Sequence, residues 1–148
     1  MIKKSIAQIV VWDSRVYIPR TARYKNGIYV NIEPVVVVRS TIDEIVSVLE
    51  TNMRQELPIL QDPSPGEVKA RSDLLPKLTG ARSWKKLCQK GVNYIIGYSD
   101  NEISLGMSRL DSKGRWEFDP DKQKKYILGT SIIIIVQDIL NDFASRKF

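Results

Sequence analysis

The feature that most constrains the fold is a stretch of strictly alternating residues in the C-terminal half of the chain. From Ile103 to Ser108 the sequence reads ISLGMS, so large apolar residues occupy every second position and small residues lie between them. A period of two is typical of a β-strand that buries one face. The small residues on the second face indicate that another group packs closely against it.

The segments around this strand predict a three-stranded antiparallel meander. Residues 92–98 (VNYIIGY) are aromatic and β-branched, and they run into the polar turn 99–102. On the other side, the turn 111–114 ends in glycine, and Trp116 and Phe118 resume the alternation. The three strands should therefore be neighbours in one sheet.

A short helix is predicted immediately before the meander. Ser83 is a favourable N-cap residue, and Trp84, Leu87 and Cys88 fall on one helical face. Gly91 follows the last turn and is expected to end the helix in a left-handed conformation. Cys88 is accordingly predicted to be a core residue and not a reactive thiol.

Two longer helices are predicted at 41–56 and 131–144. The first begins with a capping box, in which the Thr41 hydroxyl and the Glu44 carboxylate bond each other's backbone N–H groups. The second is capped by Ser131 or Thr130, although its isoleucines alone favour a strand. The apolar faces are Ile42, Ile45, Val46, Leu49 and Met53 in the first helix, and Ile133, Val136, Ile139, Leu140 and Phe143 in the second.

The first forty residues have the composition of strands and tight turns. Residues 5–12 (SIAQIVVW) predict a strand that ends in a turn at 13–14. Residues 16–18 predict a short extended piece, which Pro19 is expected to end. Asn26-Gly27 predicts a hairpin with a type I′ turn, because both central residues of that turn need a positive φ.

Prolines divide the next part of the chain. Pro34 is expected either to separate two strands, the second being the apolar run 35–38, or to lie at a bulge within one long strand. The run 35–38 is predicted to be buried or well covered. Two prolines should keep 62–66 a loop, residues 67–75 should form a helical turn or two, and Pro76 should stop them.

These elements predict an α+β fold, mainly an antiparallel sheet with helices packed on it, in one domain over residues 1–148. A composition of 43% hydrophobic and 27% charged residues fits neither a disordered nor a membrane protein. The longest apolar run, Ile132–Val136, is far shorter than the roughly 20 residues that cross a bilayer. A cytoplasmic protein without a membrane partner is expected.

The residue types argue against catalysis and against a resident cofactor. The chain has no histidine, so a serine or cysteine nucleophile has no histidine base, and its glycines follow no phosphate-binding spacing. A metal would depend on carboxylates alone, and Asp119 and Asp121 fit a solvated turn better. An enzyme is therefore not expected, and a carboxylate-dependent enzyme remains only a distant alternative.

The net charge of +6 is unevenly distributed. Residues 41–67 carry a net −5, whereas residues 68–90 carry +6. A basic surplus is compatible with nucleic acid or an acidic partner, although solvated lysines explain it as well. The basic-aromatic string at 20–25 can likewise be a single-strand nucleic-acid surface or an ordinary hairpin tip; its members are Arg20, Arg23, Tyr24 and Lys25.

The three tryptophans, Trp12, Trp84 and Trp116, are predicted to be core aromatics. Should one of them be exposed, a partner-binding anchor becomes the better interpretation, because tryptophan dominates binding hot spots.

From Ser83 onward the order of elements resembles a known family. The Trp-bearing helix, the Tyr- and Ile-rich strand, the D-N-E turn, the W-E-F strand and the Thr-Ser start of the last helix are similar to immunity proteins of bacterial contact-dependent growth inhibition systems. The resemblance implies a small cytoplasmic protein that binds and neutralises a cognate toxin domain, often a nuclease, and no direct nucleic-acid partner is expected. A small basic nucleic-acid-binding protein is the alternative.

One departure from the family accompanies the resemblance. Inhibitors of nucleic-acid-cleaving toxins are usually acidic, whereas this chain is basic. The resemblance therefore implies that the toxin contacts a locally acidic surface or is bound away from its active site. The proposed surface is one end of the meander, where acids from two places were expected to meet beside an aromatic residue: Tyr98, Asp100, Glu102, Glu117 and Asp119. The competing surface is the acidic helix 41–56, with Asp43, Glu44 and Glu50.

Overall fold

The computed structural model describes residues 5–148. The strands are β1 (Ser5–Trp12), β2 (Arg15–Tyr24), β3 (Tyr29–Arg39), β4 (Ile59–Leu60), β5 (Val92–Tyr98), β6 (Glu102–Leu110), β7 (Trp116–Phe118) and β8 (Lys124–Ile127). The helices are α1 (Ile42–Arg54), α2 (Pro65–Ser72), α3 (Leu74–Thr79), α4 (Trp84–Lys90) and α5 (Ile132–Ser145).

The strands form one sheet of eight strands in the order β3-β2-β1-β5-β6-β7, in which β8 also pairs with β6 and β4 with β2. Every pairing is antiparallel except that of β2 with β4. The predicted α+β class and the predicted meander are both confirmed. In this order β3 forms one edge of the sheet, while β7 and β8 share the other.

Both N-terminal turns lie where predicted, but only the second differs from its predicted type. Asp13 and Ser14 both have positive φ, at 51° and 59°, as a two-residue type I′ turn requires. Gly27 has a φ of 90°, but Asn26 is not among the described residues with positive φ, so the predicted type I′ turn at Asn26-Gly27 is wrong. The Asn26 side chain instead accepts a hydrogen bond from the Ile28 N–H at 3.0 Å.

The prolines interrupt the strands less than predicted. β2 continues through Pro19 because the paired part of β1 ends opposite Tyr17, and because a register shift after Pro19 adjusts the ladder with β3. Pro34 lies inside β3, where the partners jump from Ile32 to Val35. One long strand with a bulge at Pro34 is therefore the correct alternative.

The first face of the sheet carries α1 and α5 and most of the core. Residues from β1, β2, β5 and β6 meet Ile45 and Leu49 of α1 and the inner residues of α5. The predicted face of α5 is partly wrong: Ile133 is half exposed, while Ile135, Val136 and Ile139 are buried. The Ser131 side chain caps α5 as predicted, accepting from the Ile133 N–H at 3.3 Å.

The second face carries the three short helices over one part of the sheet. Leu75 of α3 and Leu87 of α4 pack with Val10 and Tyr17 of the sheet. The prediction that Pro76 stops a helix is wrong, because it lies in the first turn of α3, where a proline is tolerated. Likewise α2 begins at Pro65, inside the predicted loop, with the Ser64 side chain as its cap.

Gly91 ends α4, but not in the predicted left-handed conformation. Its φ is −108°, so backbone strain is not the reason for glycine. A Cβ at this position would lie 2.7 Å from the Leu87 carbonyl oxygen and 3.1 Å from the Trp12 ring. Glycine is needed here because α4 and β1 approach each other closely. None of the helices in the described part of the chain is long and apolar enough to cross a membrane.

Candidate functional site

The predicted acidic surface at one end of the meander is not assembled. Glu102 lies at the start of β6, opposite Ile127 of β8, whereas Glu117 pairs with Arg109 near the end of β6. Seven residues of strand separate these two positions, which corresponds to about 24 Å at roughly 3.4 Å per residue. The expectation that Asp100, Glu102, Glu117 and Asp119 share one patch is therefore wrong.

The reason is the length of β7. An antiparallel third strand would bring its end back to the Glu102 end of β6 only if it matched β6 in length. β7 has three residues against nine in β6, and β8 completes the ladder beside Glu102. The Asp119-Pro120 segment thus leaves the sheet less than halfway along β6.

Three of the four acids already have cationic partners. Arg109 Nε donates to Glu117 Oε1 at 2.9 Å, and Arg109 Nη1 lies 3.5 Å from Asp119 Oδ1. Asp119 is 8% exposed and also accepts from the Asp121 N–H, so it holds a turn together. Lys125 Nζ lies 3.3 Å from Glu102 Oε1.

Tyr98 and Asp100 lie at the Glu102 end of the sheet but on different sides. Tyr98 packs partly buried against the core under α1 and α5, and burial raises the pKa of its hydroxyl. Asp100 is exposed in the turn between β5 and β6. The role of these residues in partner binding stays a prediction, now restricted to Tyr98, Asp100 and Glu102.

Two of the three competing acids on α1, Asp43 and Glu44, line a cleft between α1 and the edge strand β3. Its volume is about 710 Å³. Its lining is charged, apolar and, at one serine, neutral polar: Arg15, Val37, Val38, Arg39, Asp43, Glu44, Ser47 and Val48. Glu50 is exposed on the same helix but does not line the cleft.

A hydrogen-bonded ion pair closes one end of the cleft. Glu44 accepts from the Arg39 backbone N–H at 2.9 Å and from its guanidinium at 2.8 Å. These hydrogen bonds lower the pKa of the Glu44 carboxyl. The predicted capping box is therefore wrong, since Glu44 reaches back to Arg39 and the Thr41 side chain makes no cap hydrogen bond.

N-terminal to Arg39, β3 is an unpaired edge of the sheet in the described part of the chain. Among the described strands only β2 pairs with it, so its other side has backbone groups that point away from the sheet. The predicted burial of the run 35–38 is wrong, because Val37 is 43% exposed and its neighbours are half-buried. A long, apolar, exposed edge is the kind of surface that pairs with a strand from another chain.

The cleft has charges of both signs. Arg15 and Arg39 are directly opposite each other on β2 and β3, and Asp43 faces them from α1. Glu44 engages Arg39 but leaves Arg15 without an ion pair in the described part of the chain. A partner strand in the cleft would thus meet one free guanidinium, one free carboxylate and a valine surface.

A second, smaller concavity lies on the second face of the sheet, beyond the short helices. Its volume is about 270 Å³, and Ile95, Gly106 and Phe118 form its centre. Phe118 packs on Gly106, where an added Cβ would lie 3.0 Å from the ring. This confirms that the small residues of β6 accommodate a closely packed group, and it leaves little of the groove free.

The remaining candidates from the sequence have structural roles. Cys88 is buried as predicted, and burial raises the pKa of its thiol. Among residues 5–148 no group of three or more acidic or cysteine side chains is arranged to hold a metal ion. The prediction that all tryptophans are core residues is wrong for Trp84, which is 38% exposed.

No protein-family model and no curated protein matches this chain. Solved structures share its fold. A protein of unknown function from Neisseria meningitidis superposes with a TM-score of 0.71 at 12% identity, over 100% of this chain and 98% of the other. A chain of a CdiA-CT/CdiI toxin and immunity complex from Yersinia pseudotuberculosis superposes with a TM-score of 0.68 at 9% identity, over 96% of this chain and 98% of the other.

Proposed function

We propose that this protein is an immunity protein that binds and neutralises a cognate contact-dependent growth inhibition toxin, a nuclease, in the cytoplasm of the cell that makes it. The observation that supports this most is the fold shared over 96% of the chain with a member of a toxin and immunity complex. Because identity is 9%, the shared fold suggests a shared role without identifying the toxin. The resemblance of the sequence to immunity proteins supports the same proposal independently.

The toxin would dock on β3 and in the cleft beside α1. An extended segment of the toxin can add a strand to the free edge, since backbone hydrogen bonds provide affinity without a particular side-chain sequence. Pro34 has no N–H and lies at a bulge, so it divides the edge and leaves the segment 35–38 as the docking length beside the cleft.

Selectivity for one toxin would come from the charges around that segment. Arg15 and Asp43 can each pair with an opposite charge on the partner, and a partner with the wrong sign would leave both buried without compensation. The net positive charge of the chain then does not prevent binding of a toxin at this surface. The local surface is mixed and not acidic, so of the two implied alternatives it fits a toxin that is bound away from its active site.

The test is co-expression with the toxin domain encoded next to this gene, followed by affinity measurement. Val37→Lys places a charge on the exposed segment 35–38 of β3 and should weaken binding by at least about 2 kcal/mol, with loss of protection. Ile127→Lys is the matched control, because Ile127 is an apolar residue of the opposite edge and is 80% exposed. Equal loss in both variants, or none in Val37→Lys, would contradict docking at β3.

Two double charge reversals distinguish the cleft from the site predicted from sequence. Asp43→Lys with Glu50→Lys alters the α1 surface, while Asp100→Lys with Glu102→Lys alters the turn after β5. We expect the first pair to weaken toxin binding and the second to leave it within about 0.5 kcal/mol. Failure of the wild type itself to bind the toxin domain, together with binding to RNA, would favour the nucleic-acid alternative over inhibition; RNA binding alone would not.

A further inference from the structure

The short helices α2, α3 and α4 (residues 65–90, the basic helical layer) concentrate positive charge on the second face of the sheet. They carry seven basic residues, Lys69, Arg71, Lys77, Arg82, Lys85, Lys86 and Lys90, against the two acids Glu67 and Asp73. The net +5 of this layer is nearly the whole net charge of the chain, which is +6. All seven except Arg71 are exposed.

The basic helical layer also lacks neutralising partners, unlike the helices on the first face. There, ion pairs join Lys122 and Arg146 to Asp142, and Lys124 to Asp138. In the described part of the chain, none of the seven cations of the layer forms an ion pair. Arg71 instead donates to the Tyr24 hydroxyl at 2.8 Å. The charge of the layer is therefore available to an external partner.

An exposed indole lies among these charges. Trp84 begins α4 between Arg82 and Lys85, and its Nε1 donates to the Ser72 carbonyl at 2.6 Å. Its ring meets Trp116 edge to face, with centroids 5.9 Å apart and planes at 83°. These contacts satisfy its only polar atom and fix the ring, yet 38% of the residue stays exposed.

A fixed aromatic ring beside unpaired cations is the combination that single-stranded nucleic acids recognise. Bases stack on such rings whatever their sequence, while lysines and arginines contact the phosphates. Protein partners usually place an apolar centre in their interface and deplete it of lysine, whereas nucleic-acid interfaces are strongly positive. A duplex would not present an unstacked base to Trp84.

We propose that the basic helical layer binds single-stranded nucleic acid, with a base stacked on Trp84 and phosphates held by Arg82, Lys85 and Lys86. This surface lies on the other face of the sheet from the α1 cleft, so the activity is independent of toxin docking at β3. A nucleic acid bound there would remain bound when β3 is occupied.

The first measurement is fluorescence anisotropy of a labelled oligouridylate of about 12 nucleotides, titrated at about 50 mM salt and above. With three phosphates neutralised, the logarithm of affinity should fall with that of salt with a slope of roughly −2. Lys85→Glu with Lys86→Glu should weaken binding by at least about tenfold and reduce the slope. Both positions lie in the first turn of α4, where an acid favours the helix, so the variant should fold.

The control for net charge is Lys125→Glu with Lys147→Glu, which changes the total charge equally at exposed positions outside the layer. We expect it to retain most of the affinity. If both double variants lose affinity equally, binding follows total charge and the proposed surface is wrong. If polyglutamate of equal length competes as well as the oligonucleotide, the layer fits an acidic protein and the proposal is overturned.

Stacking is tested separately from charge. Trp84→Leu keeps an apolar side chain and should lower affinity at least about fivefold. Because this variant also loses a hydrogen bond, the wild type is compared in parallel on an abasic strand of the same length and phosphate charge. The abasic strand should bind at least about fivefold more weakly. Equal affinity for both strands would show that no base stacks, and would overturn the role of Trp84.

Discussion

The two edges of the sheet are built in opposite ways. β3 is one continuous strand of 11 residues with a valine-rich end. The opposite edge is divided between β7 and β8, of three and four residues, and ion pairs lie along it, among them Arg109–Glu117 and Lys125–Glu102. Short strands and charges protect a sheet from edge-to-edge association.

This difference is what the proposed docking of a toxin at β3 would require. A chain that protects one edge so thoroughly would be expected to protect both, unless one of them meets a partner. In the described part of the chain, two features limit where a further strand can pair with β3: the bulge at Pro34, and Glu44, which accepts the hydrogen bond of the Arg39 N–H. The edge of the segment 35–38 between them stays open to pairing.

The largest expected effect comes from removing the buried carboxylate of Asp142, which connects α5 and Arg146 to the sheet. Asp142 on α5 accepts hydrogen bonds from the Tyr94 hydroxyl at 2.6 Å and from Arg146 Nε at 2.8 Å. Arg146 Nη1 in turn donates to the Ser108 carbonyl of β6 at 2.6 Å. Asp142→Asn should lower the free energy of unfolding by about 2–3 kcal/mol, because Arg146 loses its buried partner. Urea denaturation measures this loss.

The matched control is Asp138→Asn, which breaks a similar but more exposed pair with Tyr126 and Lys124. This variant should lower the free energy of unfolding by less than Asp142→Asn does. Although burial opposes ionisation of Asp142, hydrogen bonds from Tyr94 and Arg146 lower the pKa of its carboxyl overall. A lowered pKa in the folded state means that this stabilisation is present above the ordinary carboxyl pKa and lost as the pH falls. A larger loss for Asp138→Asn would contradict this account of Asp142.

A smaller effect is expected when the protected edge is opened locally. Gly106→Val forces Phe118 off β6, since even a Cβ would lie 3.0 Å from its ring. The substitution should lower the free energy of unfolding by about 1–3 kcal/mol and expose β6 as a new edge. Light scattering should then show concentration-dependent association, which Ser104→Val on the same strand should not cause. A monomeric Gly106→Val protein would mean that β7 is not what protects this edge.

The smallest effect concerns the end of the β3 edge that Glu44 closes. The pKa of Glu44 is lowered by its hydrogen bonds to Arg39, so its stabilisation is present at neutral pH and is lost as the pH falls through the folded-state value. The wild type should therefore be more stable than Glu44→Gln near pH 7, and the difference should shrink as the pH falls below the ordinary carboxyl pKa and then below the lowered folded-state pKa. A difference that persists unchanged at low pH would contradict an ionic role for Glu44.

The spacing of residues close together in the sequence predicted the helices and strands, but not which strands lie side by side in the sheet. The alternation in β6 and the helical spacing in α1 were sufficient to place them, because each depends on residues a few positions apart. The exposure of Val37 could not be predicted, since it depends on β1 pairing with β5 some 85 residues later, which places β3 at the edge. An apolar run is the same in sequence whether the sheet continues beyond it or stops.

The error in the candidate site has a similar origin. The acids of the meander were expected at one end because the length of β7 cannot be read from three residues of alternation. The sequence held a partial signal in Pro120, which follows β7 closely, and in the apolar residues 126–128, the first two of which belong to β8. These signals do not show that β8, and not β7, pairs with the start of β6.

The most direct test of docking at β3 is hydrogen exchange of the backbone amides with and without the toxin domain. The amides of residues 35–38 that point away from β2 should exchange more than about tenfold more slowly in the complex, because a partner strand accepts their hydrogen bonds, whereas the amides that already bond β2 should change less. Amides of residues 124–127 on the protected edge should not change. Unchanged exchange at 35–38, with new protection at 124–127 or in the turn at 99–102, would contradict it.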